Sequence, residues 1–539
     1  MNRRVRSLLA LTTLSAFALA ACGDDASQSS PSTSAATAAP ATTAAAAGCT
    51  TERVGGTVAM GMFTETTGLD PIVASGKGVA GAIEMAALYD TLMSYDTATG
   101  KYEPRVAQSL TSNTDFTIWT LKLRDGIKFG NGDPLTADAV KTSIGRHTAP
   151  TSRSTSRSLA SNIAKMDVID TTTLQFTLTS AWAGFPYLLG EKVGMITNQR
   201  VIDQLGAETF NLAPKGAGVG PFEYAKFAPK EEIILESKKD YWGGTVCLDR
   251  LRFLRITGAG PTYDALKANT LQVAFLREPA AIAQARKDQY ETFVNLQNAG
   301  GSLIVNNGVR GGTPPTTDVR VRQAVAYAID VEQLDERSNA GTGLPTSAII
   351  SDKSPFFQNL DGPQTDTAKA RDLVQSVIAE GKWDGSIRLA CQDSPAAKDR
   401  ALAIEASLKA VGFKVTTELA PSVISKVVTD ANFDLACWGF NIGDAMPWAA
   451  MDQFVSTSAN NRTGYKDPQM DAAVAELKVA ATAATQKAAL AKIQEVWNRT
   501  VPSVVYETIE EVITWDKKVN GLVFTQDSVV YFSDAWLTK

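Results

Sequence analysis

The chain has 539 residues, of which 44% are hydrophobic and 20% charged, a globular composition on a length that exceeds one hydrophobic core. A formal charge of −5 speaks against a nucleic-acid partner, which is held by clustered Lys and Arg. The single histidine, His147, leaves little material for a zinc or nickel site or for a Ser-His-Asp hydrolase.

The N-terminus sets the compartment. Arg3, Arg4 and Arg6 precede an apolar stretch over 8–19. That stretch is too short for a permanent membrane span, which needs ~20 residues, and residues 1–21 read as a secretory signal. Leu19-Ala20-Ala21-Cys22 resembles the lipobox of bacterial lipoproteins, which implies lipidation at Cys22 and a lipid anchor to the cell membrane. Residues 22–48 carry the lipidated cysteine and a flexible tether of Ser, Thr, Ala and Pro, with nothing large to bury. The folded domain is expected over 49–539, outside the cytoplasm.

Strand and helix patterns then alternate. Trp119, Leu121 and Leu123 share one face of a period-2 strand over 117–123. Asp125-Gly126 is a hairpin signal, with Ile127-Lys128-Phe129 as the returning strand. Thr136 caps a helix in which Ala137, Val140 and Ile144 share a face, with His147 at its end as an ordinary core or surface residue. Leu174, Phe176 and Leu178 alternate in a further strand. Asp318 caps a helix with the stripe Val321, Ala324, Val325, Ala328 and Ile329. Ala401, Ile404, Leu408 and Val411 form a second stripe, which Gly412 stops before the strand Phe413, Val415, Thr417, Leu419. Helix, glycine and strand in succession form the unit of an α/β lobe. Residues 484–499 are a last helix, and 504–506 and 512–513 are strand-like.

Four cysteines remain beyond Cys22, with no CxxC among them. A secreted protein permits disulfides, and four cysteines admit three pairings.

Ordered blocks from about Gly55 to the C-terminus resemble the family 5 extracellular solute-binding proteins, the peptide- and nickel-binding group of ABC importers. One block holds Arg105-Val106-Ala107-Gln108-Ser109-Leu110, Trp119-Thr120-Leu121-Lys122-Leu123-Arg124-Asp125-Gly126 and Gly132-Asp133-Pro134-Leu135-Thr136-Ala137-Asp138. A second holds Gly218-Val219-Gly220-Pro221-Phe222 and Asp240-Tyr241-Trp242-Gly243-Gly244. A third runs through Asp318-Val319-Arg320-Val321-Arg322-Gln323-Ala324-Val325, and Phe433-Asp434-Leu435 and Arg462-Thr463-Gly464-Tyr465 follow.

The resemblance implies an α/β, type II periplasmic-binding-protein fold, with two discontinuous lobes and an extra subdomain (cluster C). Lobe one is expected at roughly 50–78, 197–295 and 500–539, the extra subdomain at roughly 79–196, and lobe two at roughly 296–499. By the same analogy Cys49 pairs with Cys247 and Cys391 with Cys437.

The resemblance also implies the role of an ABC importer's receptor, monomeric, and the lone histidine and absent CxxC lead to the expectation of no metal and no cofactor. It captures a short peptide between closing lobes and delivers it to membrane permease subunits. The ligand-binding candidates lie on two loops: Phe63, Glu65 and Thr66 on the first, and Trp438, Phe440, Asn441, Asp444 and Trp448 on the other. Aromatic rings wall variable side chains, polar groups take amides, and a carboxylate takes an ammonium. Peptide-binding relatives carry that carboxylate at the position of Gly443, and Asp444 stands one residue later. The same receptor role for a sugar, metal chelate, opine or other small molecule is the alternative. A secreted hydrolase is a third reading, which carboxylate pairs alone keep open because they have no fixed spacing.

Overall fold

A computed structural model describes residues 49–50, 52–62, 64, 66–74, 81–525 and 529–539. The signal segment, Cys22 and the tether up to residue 48 lie outside the described residues, as do Phe63 and Glu65.

An eleven-stranded mixed sheet forms the frame. Its strands in chain order are β1 (Thr57–Met62), β2 (Phe222–Ala228), β3 (Glu232–Ser237), β4 (Arg250–Arg255), β5 (Val273–Leu276), β6 (Glu291–Val305), β7 (Leu344–Pro345), β8 (Ser386–Gln392), β9 (Lys414–Ala420), β10 (Leu435–Trp438) and β11 (Ser503–Trp515). Their spatial order is β9-β8-β10-β6-β11-β5-β1-β4-β3-β2, with β7 on β11.

Two long antiparallel strands, β6 and β11, run through both halves. At one end β5 pairs with β11 from Val273–Trp515 to Leu276–Val512. At the other, β10 pairs with β6 from Ser302–Trp438 to Val305–Leu435. The β6–β11 ladder shifts register at Gln297, Gly301 and Ser302, midway between the halves. A local break in a ladder bends and twists the strand that carries it. The close approach there depends on glycine, because a Cβ on Gly301 would stand 2.6 Å from the Tyr506 ring and 2.8 Å from Glu507 Cβ. Residues 504–506 and 512–513, which read as two strand-like pieces, belong to one continuous strand.

Each half has its own core. Val58, Met60, Leu251, Phe253 and Phe275 join one buried cluster, and Leu303, Val325, Leu389, Ile404 and Leu435 join another. Helix α1 (Val319–Ala328) puts its stripe into the second, with Val321, Ala324 and Val325 fully buried. Each such valine contributes roughly 1.5–3 kcal/mol. The Asp318 carboxylate accepts from Arg320 N at 2.8 Å and caps the helix.

A four-stranded antiparallel sheet built from Ala107–Ser112, Ile118–Leu123, Ile163–Val168 and Thr173–Leu178 stands outside this frame. Trp119, Leu121 and Leu123 face its core. Residues 127–129 do not return against Ile118–Leu123, which is flanked on both sides by other strands. They fold on themselves instead, with Leu135 N donating to Ile127 O and Phe129 N to Asp133 O. His147 is buried and shares a 2.7 Å hydrogen bond with Ser154. This region also packs on the second half: the Trp182 and Trp448 rings lie 5.0 Å apart, and Lys478 Nζ donates to Asn162 and Ser180 at 2.8 Å.

Disulfides join Cys49 to Cys247 and Cys391 to Cys437, with Cα separations of 5.3 and 4.9 Å. The second ties β8 to β10. No described helix is long and apolar enough to cross a membrane.

Candidate functional site

Parallel strands in an α/β sheet send their C-terminal ends, and the N-termini of the helices that follow, toward one crevice. Here β5 ends at Leu276 and helix α2 (Pro279–Lys287) follows, while β8 ends at Gln392 and helix α3 (Pro395–Ala410) follows. Both ends, with the C-terminal end of β10, open onto one cavity of 530 Å³ over the middle of β6 and β11. Arg277, Glu278 and Pro279 form its first wall. Gln392, Ala396, Arg400 and Trp438 form the second, and Gly300, Glu507 and Thr508 lie on the floor.

The charges here are mutually arranged. Arg277 Nη2 donates to Asn441 Oδ1 at 3.3 Å, a bond from the first half of the molecule to the second. Its other nitrogen lies 3.9 Å from Glu511. Arg286 grips Glu510 with two bonds of 3.0 Å. Glu507 receives Asn339 Nδ2 at 2.8 Å and stands 3.5 Å from Arg400 Nη2. Burial pushes the Glu507 carboxyl up from its ordinary value, against the pull of Arg400.

Of the residues singled out from sequence, Trp438 and Asn441 line this cavity. Trp438 is half-buried, and Asn441 holds a left-handed φ of 51°, which turns the chain sharply after β10. Phe440, Asp444 and Trp448 do not line it. The Phe440 ring packs 4.9 Å from Phe454 and 6.1 Å from Trp497, and Trp448 packs on Trp182. Asp444 is a buried hub rather than an open anchor: its Oδ1 accepts from Asn298 Nδ2 at 3.0 Å and Ser354 Oγ at 2.7 Å. Thr66 belongs to a different hollow beside Met62 and Phe253, where its hydroxyl donates to Glu84. Burial raises that carboxyl to about 7. Arg277, Arg400, Glu507 and Thr508 belong to no motif that sequence reasoning picks out. Arg277 was findable, since it directly follows a strand's C-terminal end.

Among the described residues no group of three His, Cys, Asp or Glu side chains is placed to hold a metal ion.

Residues 101–462 match the model of the bacterial extracellular solute-binding proteins, family 5. The chain belongs to this family. It is 24% identical over 448 residues to the glutathione-binding protein GsiB of Pectobacterium atrosepticum, covering 80% of this chain and 85% of that one. Among solved structures it resembles the oligopeptide-binding protein AppA from Bacillus subtilis in complex with a nonapeptide, with a TM-score of 0.74, 18% identity, and 90% and 100% of the two chains covered. It also resembles AgaA of A. tumefaciens in complex with agropinic acid, with a TM-score of 0.74, 21% identity, and 90% and 99% covered. The family 5 fold is the type II periplasmic-binding-protein fold, and its members are substrate-binding proteins of ABC transporters rather than enzymes.

Proposed function

We propose that this family 5 protein is the receptor of an ATP-driven importer, which captures a short peptide in the cleft and passes it to membrane permease subunits. The observation that carries this reading is the 530 Å³ cavity where the two halves meet across two shared strands. Its size suits a small solute, and Trp438 offers an apolar wall beside polar groups. The two halves act as lobes, the extra four-stranded region serves as a subdomain, and bending at Gln297–Ser302 closes them. Ligand affinity for the closed form drives closure. Trp438 and Asn441 are the first ligand contacts to test, and Cys22 carries the lipid that holds the monomer at the membrane.

Native mass spectrometry of the protein as expressed, followed by thermal shifts with di- to pentapeptides, tests the ligand class. A ligand at 100 times its Kd stabilises by about 2.7 kcal/mol, a readily measured shift. Peptide-dependent shifts lost in Trp438→Ala support the reading. Shifts with opines or sugars but not with peptides would reassign the solute, an alternative favoured by the agropinic acid held by AgaA. Cys22→Ser should move the protein from membrane to soluble fraction.

A further inference from the structure

We propose that a basic hollow on the second half of the molecule, formed by Arg310, Arg462 and Lys466, is a separate binding site for a phosphate group, free or carried by a lipid headgroup. It lies apart from the cleft and shares no lining residue with it. Strand β6 passes the cleft at Gly300 and ends at Val305, while β10 starts opposite that end at Leu435 and reaches the cleft at Trp438. The hollow, of 460 Å³, opens beyond Val305 and Leu435, where the turn after β6 meets the segment before β10.

Two turns are locked together to form it. Gly464 has a φ of 74°, and a Cβ there would stand 2.4 Å from Val309 N, so glycine is what lets the turns approach. Asn307 N donates to Thr463 O at 2.7 Å across that contact. Asn306 Oδ1 accepts from Gly308 N and Val309 N at 3.0 Å, and Asn461 Oδ1 accepts from Gly464 N at 3.0 Å. Arg310, with a left-handed φ of 55°, donates to the Val428 and Thr429 carbonyls at 3.0 and 2.9 Å and pins the single-turn helix Ser425–Asp430 as a third wall. The block Arg462-Thr463-Gly464-Tyr465 supplies Arg462 and Gly464 to this hollow and nothing to the cleft.

The charge balance selects the ligand. Three cations line the hollow and no acid does. Arg310 bonds neutral carbonyls, and among the described residues no carboxylate pairs with any of the three. Acids on the same segments are engaged elsewhere: Asp452 accepts from Ser458 Oγ at 2.7 Å, Asp471 from Ser456 N at 2.7 Å, and Asp467 caps the next helix through Gln469 N at 2.8 Å. Asp430 is exposed and does not line the hollow. A carboxylate would balance one charge of three, whereas a phosphate monoester carries about −1.5 to −2 and three strong acceptor oxygens. Guanidinium forks match those oxygens and an ammonium adds a point charge. Beside the cations, Val428 on the lining is 37% exposed and Ile424, four residues before it, is 64% exposed. Apolar side chains next to cations suit the headgroup boundary of a bilayer.

The test uses the full chain carrying Cys22→Ser, so that no acyl chain contributes. Calorimetry follows inorganic phosphate and glycerol 3-phosphate, and co-sedimentation follows vesicles of phosphatidylcholine with and without phosphatidic acid. Binding to a phosphate carrier should fall at least about tenfold in the double variant Arg462→Gln, Lys466→Gln and stay unchanged in Trp438→Ala. Neither substituted side chain makes a hydrogen bond or ion pair among the described residues, and the exposed Lys466→Gln alone, which should weaken binding in the same direction, keeps the test alive if the double variant fails to fold. Binding of the soluble phosphates assigns a free solute, and binding of phosphatidic acid vesicles alone assigns a headgroup; either upholds the site. No binding to any probe, binding that the variants retain, or binding that Trp438→Ala removes overturns it.

Discussion

Asp444 and His147 show how burial gives single residues opposite pH signatures. Burial raises Asp444 from 3.8 to about 6, and its bonds to Ser354 and Asn298 offset only part of the cost. The folded state therefore prefers the protonated acid. This stabilisation is complete below pH ~4 and fades as pH rises through about 6, a span worth about 3 kcal/mol. Asp444→Asn keeps an acceptor for both donors and removes that slope. Urea midpoints measured from pH 4 to 7 should be flatter in the variant, and at pH 7 it should be at least as stable as wild type. A loss above about 2 kcal/mol at pH 7 would show that the ionised carboxylate is needed. His147 runs the other way: burial, with Lys192 and Arg146 nearby, lowers it to about 3. Its contribution is full above pH 6.5 and is lost as pH falls toward 3. His147→Gln should shift the acid-unfolding midpoint to lower pH, as read by circular dichroism.

At the scale of elements, the amphipathic helices are legible in the sequence itself. Val321, Ala324 and Val325, or Ile404 and Leu408, recur at helical spacing, and each is fully buried. Spacing of this kind is local, so the sequence carries it complete. The central strands are harder. Tyr506 and Val512 lie on one strand, yet the segment between them holds Glu507, Glu510 and Glu511, which interrupt the apolar pattern that marks its two ends. Those acids are satisfied by Arg400, Arg286 and Arg277, partners distant in sequence. The register break beside them depends on Gly301. Gly301→Val should lower stability by about 1–3 kcal/mol through overpacking against Tyr506 and Glu507, measured by chemical denaturation. It should also weaken ligand binding if the proposed closure bends at the same break.

For the whole molecule, the disulfides connect distant parts of the chain. Cys49–Cys247 closes a separation of 198 residues, and Cys391–Cys437 one of 46. Loop entropy favours the longer link, and losing either should cost about 2–5 kcal/mol. The two differ in place, since Cys437 lines the cavity and the other pair does not. The double variant Cys391→Ser, Cys437→Ser should therefore lose both thermal stability and ligand affinity. The variant Cys49→Ser, Cys247→Ser should lose stability alone. Differential scanning calorimetry with and without ligand separates these outcomes.

The sequence alone determined the family, the α/β class and the helix stripes, because ordered motifs and periodicity reside in neighbouring residues. It also brought Trp438 and Asn441 into view through the family resemblance, which implies ligand contacts on that loop. Only the tertiary structure decided that Asp444 is a buried hub and that Phe440 and Trp448 belong to the core. An acid or a ring on a loop looks the same whether it faces a ligand or Ser354 and Trp182. Arg400 and Glu507 belong to the same lesson: they stand 3.5 Å apart beside the cavity only because chain segments over a hundred residues apart meet there.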